Sequence, residues 1–140
     1  MKAKVYKGTS SYSSDVICNI SDGKIYKKTS NYSSDIICNV SGNKIYKGNS
    51  SYSSEVLYNV SDGKVYEGAS TYSNDIVMTI KDGKIYKGTS TYNNDVLATI
   101  NNGKVYSGNS SYSNDIQFSI DAQVTIEEFV AIWYAVKYNF

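Results

Sequence analysis

The chain has 140 residues, 14 basic against 13 acidic side chains, and no His, Pro or Arg. A net charge of +1 gives no electrostatic case for nucleic acid or an anionic membrane as partner. The missing residue types exclude imidazole acid–base work, His-ligated metals and guanidinium grips on phosphate. An apolar fraction of 41% suits one globular domain, which at this length buries roughly two-thirds of its unfolded surface.

From Met1 the chain runs straight into the first of six 20-residue units that fill Lys4 to Ile120 without insertion or deletion. No signal-peptide h-region precedes them and no apolar run approaches a membrane span, so a cytoplasmic protein is expected. A fixed short period means supersecondary pieces that bury surface only against their neighbours.

Each unit opens on a short strand, Lys24-Ile25-Tyr26-Lys27 in the second copy. A longer loop of the form Gly-x-Ser-x-Tyr follows, with Ser at position 10 and Tyr at position 12 of every copy. Gly gives the backbone its turn and Ser bonds local amides. The rings of Tyr12, Tyr32, Tyr52, Tyr72, Tyr92 and Tyr112 are expected to point inward as loop anchors, with their hydroxyls toward water or a backbone partner. A carboxylate closes each loop: Asp15, Asp35, Glu55, Asp75, Asp95 and Asp115. These acids either cap their loops or pair with neighbouring Lys, or they offer a ring of carboxylates to a cation or a hydroxyl-rich ligand. One carboxylate per site is a poor metal cage, so no metal or other cofactor is expected.

The second strand, Asp35 to Val40 in the second copy, is apolar at positions equivalent to Val16, Cys18 and Ile20, an alternation that marks a core-facing side. Cys18 and Cys38 share one of these columns and read as buried, reduced thiols. Two-residue turns follow, Asp22-Gly23, Gly42-Asn43, Asp62-Gly63, Asp82-Gly83 and Asn102-Gly103, the dipeptides of tight type I′ and II′ hairpins. Each hairpin therefore joins the second strand of one unit to the first strand of the next. One unpaired strand remains at each end of the array, and pairing the two would close a ring.

The last twenty residues leave the pattern. Thr125 and Glu128 form a capping box, Val124 and Phe129 a hydrophobic staple, and a helix is expected from about Ile126 to Tyr138. Its stripe of Ile126, Phe129, Val130, Trp133 and Val136 is flanked by further apolar residues, so it must be covered on more than one side. The column Cys18, Cys38, Tyr58, Met78, Ala98 and Phe118 is apolar but uneven in size. Such unevenness points to an asymmetric neighbour, and the helix is the asymmetric element at hand.

The unit resembles the hairpin repeats of small symmetric toroids of the β-flower or β-pinwheel type, through segments such as Asp22-Gly23-Lys24-Ile25-Tyr26 and Asp82-Gly83-Lys84-Ile85-Tyr86. It is also similar, more weakly, to the 20-residue choline-binding repeats, aromatic hairpins stacked as a solenoid, whose Trp-Tyr-Tyr run is absent here. The expected fold is mainly β: residues 1–120 as a closed ring of six hairpins, with 121–140 as a capping or dimerisation helix. An open β-solenoid is the alternative architecture. Ser lacks an activating base other than Lys, so an enzyme is not expected. A non-catalytic binding module is expected instead, its six Ser-x-Tyr loops meeting a glycan or another polar ligand. The alternative is an assembly protein that forms a homodimer through Phe129, Trp133 and Val136 of the helix.

Overall fold

A computed structural model describes residues 1–138. Strands of β-branched and aromatic residues alternate with glycine-bearing turns along the first 120 residues: β1 (Lys2–Lys7), β2 (Val16–Ser21), β3 (Lys24–Lys27), β4 (Ile36–Ser41), β5 (Lys44–Lys47) and β6 (Val56–Ser61), then β7 (Lys64–Glu67), β8 (Ile76–Lys81), β9 (Lys84–Lys87), β10 (Val96–Asn101), β11 (Lys104–Ser107) and β12 (Ile116–Ile120). All neighbours are antiparallel, and β1 pairs with β12, so the twelve strands close into a barrel of six hairpins. The open solenoid is thereby corrected. Closure matches Val5 with Ile120 and Lys7 with Phe118, and leaves no strand edge unpaired.

The tight turns have the expected form. Asp62 and Gly63 have φ of +52° and +77°, both positive as a type I′ turn requires. The Gly63 carbonyl then accepts from the Ile80 amide of the next hairpin at 2.7 Å. A Cβ on Gly63 would stand 2.5 Å from the Ile80 carbonyl oxygen. Gly63→Val combines this overlap with the strain of a β-branched residue at positive φ, and is expected to cost about 1–2 kcal/mol or more in urea unfolding. An unchanged midpoint would contradict the turn geometry.

A register shift recurs where each short strand meets the second strand of its own unit, as between Ile25 and Tyr26, which pair with Cys38 and Ile36. The extra residue is a β-bulge, and it corrects the simple alternation. Ile37 enters the core and Ile17, Leu57 and Val77 pack against it. The column that starts at Val16 instead stands opposite Tyr6 and its equivalents. Val5, Ile25, Ile45, Val65, Ile85 and Val105 form the innermost layer, each with 0% exposure.

A twelve-stranded barrel is wider than its own side chains can fill. The helix α1 (Ile126–Tyr138) fills it. The capping box forms: the Glu128 amide donates to Thr125 Oγ1 at 3.1 Å, and the Thr125 amide to Glu128 Oε1 at 2.8 Å. Chain reversal after β12 sends α1 back through the lumen, with Phe129 near the tight turns and Lys137 near the longer loops. Val130, Ala131, Ile132 and Ala135 are fully buried, which explains a helix apolar on every side.

The uneven column now has its cause. The helix lies closest to β2–β5, where the column offers only Cys18 and Cys38, and the Cys38 thiol donates to the Ala131 carbonyl at 3.7 Å. Two aromatic residues of the column reach the helix from other strands: Tyr58 meets Tyr134 edge-on at 6.0 Å, and Phe118 meets Trp133 at 6.4 Å.

Phe129 and Trp133 are buried inside this barrel and Val136 is half-buried. They face the lumen, so a homodimer through these residues would require the helix to leave it. Both cysteines are free and buried. Burial pushes the Cys18 thiol up to about 12 and the Cys38 thiol higher still. A thiol reagent is expected to label them slowly in the native state and rapidly in denaturant; fast native labelling would place them outside the core.

Candidate functional site

The six longer loops share one construction. Residue 8 takes a positive φ, +50° at Gly8 and +49° at Lys28, the single non-glycine of that column. Ser10 Oγ then accepts from the Tyr12 amide at 3.1 Å and donates to Asp15 Oδ2 at 2.7 Å. The Asp15 amide donates back to the Tyr12 carbonyl at 2.9 Å, closing the single 3₁₀ turn of Ser13–Asp15. Asp35, Asp75, Asp95 and Asp115 repeat the Ser–Asp bond at 2.6–2.7 Å. Glu55, one methylene longer, makes no such bond among the described residues.

The five aspartates are therefore loop caps. The alternative pairing with Lys does not form: among the described residues the ion pair present joins the Met1 amino group to Asp22. No group of three or more metal-ligating side chains comes together among the described residues either.

A second set of bonds ties each loop to the neighbouring hairpin. Asn19 Nδ2 donates to the Lys28 and Ser30 carbonyls at 2.8 and 2.9 Å, and Asn39 does the same for Gly48 and Ser50. Thr79 and Thr99 reach Gly88 and Gly108 with their hydroxyls. The sequence signal was the run of Asn, Thr and Ser in that column, whose task as a strap for the next loop depends on strand order.

With Ser, Asp and Asn holding the loop backbone, the tyrosine ring is not needed as an anchor. Tyr12, Tyr32, Tyr52, Tyr72, Tyr92 and Tyr112 are between 71% and 74% exposed. The inward orientation is thus corrected, and the six rings stand out around one end of the barrel. Five sit on a backbone fixed by all three of these bonds and Tyr52 on one fixed by two of them, so the array is presented by a rigid frame.

One further column escaped the sequence reading. Cys18 pairs with Lys27, Cys38 with Lys47, Tyr58 with Glu67, Met78 with Lys87 and Phe118 with Lys7. Cross-strand partners share a face. Position 7 therefore lines the lumen mouth at the same end as the tyrosines. Period two from the buried Val5 was the available signal, masked by the bulge beside it.

Among the described residues no helix is long and apolar enough to cross a membrane. A family model described as a 6-fold beta flower protein matches residues 5–133, from the first repeat into the central helix. Neither a curated protein nor a solved structure matches the chain.

Proposed function

The chain belongs to the 6-fold beta flower family, and from that premise we propose a non-catalytic binding module that presents its six Ser-x-Tyr loops to a glycan or a similar polar ligand. The observation that carries this reading is the exposure of all six loop tyrosines at one end of a closed ring. Single exposed aromatics are ordinary, whereas a ring of them on braced loops is the kind of surface that marks an interaction site. A tyrosine face suits the apolar side of a sugar ring, and its hydroxyl suits the polar rim.

Avidity is the physical advantage of six copies. One tyrosine platform binds weakly, but sites spaced around one rim engage a repeating ligand together. The aspartates contribute by holding each loop rather than by touching the ligand, since one carboxylate oxygen is already taken by Ser in five of the six loops. The buried helix favours this reading over assembly through Phe129, Trp133 and Val136.

A glycan array tests it. The wild-type protein is expected to be retained on a subset of polymeric glycans. A variant carrying Tyr12→Ala, Tyr52→Ala and Tyr92→Ala is expected to fold normally and lose more than roughly tenfold in apparent affinity. No retention of the wild type, or equal retention of the variant, would overturn the proposal.

A further inference from the structure

The six-fold pattern is broken three times on the strands from β7 to β12, away from β2–β5 where the helix lies closest. Position 7 holds Lys7, Lys27, Lys47, Lys87 and Ser107, but Glu67 in the fourth copy. Position 17 is aliphatic in five copies and Gln117 in the sixth. Gln117 has a partner, because its Oε1 accepts from Lys137 Nζ near the end of α1. The Glu67 carboxylate has neither a hydrogen bond nor an ion pair among the described residues, although the Glu67 carbonyl accepts from the Ser70 amide at 3.3 Å.

Glu67 and Lys137 both border one cleft of about 630 Å³ at the lumen mouth, whose walls include Tyr58, Met78, Leu97 and Trp133. Its size is that of a small-molecule site, roughly 300–1,000 Å³. Leu97 is 40% exposed there, an unusual state for a large aliphatic residue in the bulged column. The opposite charges share the cleft yet do not meet, for no pair between them falls within ion-pair distance.

We infer that this cleft binds a zwitterion, a free α-amino acid with an apolar side chain, its carboxylate on Lys137 and its ammonium on Glu67. The side chain then lies against Trp133, Met78 and Leu97. Lys137 has three N–H donors and gives one to Gln117, so two remain for a carboxylate. Its ammonium is held 4.9 Å from the Trp133 ring centroid, which fixes it at the cleft wall. Partial burial lowers the Lys137 pKa, and a bound carboxylate would restore the preference for the charged form. The site is separate from the Ser-x-Tyr loops, and neither proposal depends on the other.

Trp133 is the chain's one tryptophan, so its emission reports on the cleft directly. Titration with L-leucine is expected to change that emission saturably. N-acetyl-L-leucine lacks the ammonium and L-leucinamide lacks the carboxylate, and each is expected to bind at least roughly tenfold more weakly, the loss of one charge-assisted contact. Glu67→Lys restores the residue that four other copies carry, so the fold is expected to accept it, as thermal melting will register. In that variant the response to L-leucine is expected to vanish, while the response to N-acetyl-L-leucine persists or strengthens. No saturable change with millimolar L-leucine, equal responses to the three compounds, or an unchanged titration in a folded Glu67→Lys protein would each overturn the inference.

Discussion

A chain ending at Asp121 is expected to lose its cooperative thermal transition, because removal of α1 uncovers the layer from Val5 to Val105 and leaves an unfilled lumen. The milder Trp133→Ala is expected to lower stability by roughly 3–5 kcal/mol, the range for deleting a large buried side chain whose space cannot collapse. Trp133 is 6% exposed and packs against both Phe118 and Phe129. The barrel wall is fixed by backbone hydrogen bonds, so it has little freedom to close over the gap. Urea unfolding of the point variant and a melting scan of the truncation supply the measurements. A truncated chain that melts like the full one would show that the helix is not the core of the barrel.

Deletion of residues 1–7 is expected to destabilise the whole domain rather than fray one end. That segment supplies β1, which pairs on both sides, with β12 and with β2. It also carries two contacts that brace the start of the helical segment: the Lys4 amide donates to Asp121 Oδ1 at 2.7 Å, and the Asp121 amide donates to the Lys4 carbonyl at 3.1 Å. Without β1 the barrel acquires two open edges and exposes the inner face of β12. In an array open at both ends, by contrast, loss of a terminal strand removes only its own contribution. A truncated protein that keeps its melting temperature would contradict ring closure.

Much of this architecture was legible because a strict repeat states each local rule six times. The turn dipeptides gave the hairpins, the odd strands at the two ends gave the closure, and the capping box gave the helix start. The size variation from Ala98 to Phe118 even named the helix as the neighbour of that column. What the sequence concealed is cross-strand geometry. A bulge is invisible to period counting, so Ile37 could not be placed on the lumen side from its own strand, and the bulge opposite masked the period-two signal from Ile25 to Lys27. The direction of the Tyr12 ring was missed for a related reason. A packed ring is one way to hold the loop, but Ser10, Asp15 and the straps equivalent to Asn19 already hold it. The placement of α1 inside rather than on a face follows from the barrel's width, which depends on all twelve strands at once.

Native-state hydrogen exchange tests the central arrangement, a closed barrel built around its own C-terminal helix, most directly. Amides of Val130 to Ala135 are expected to exchange only through global unfolding, with the same opening free energy as those of β1 and β12 that join the two ends of the ring. Helix amides that open well before the strands do would contradict it, for they would place α1 outside the barrel.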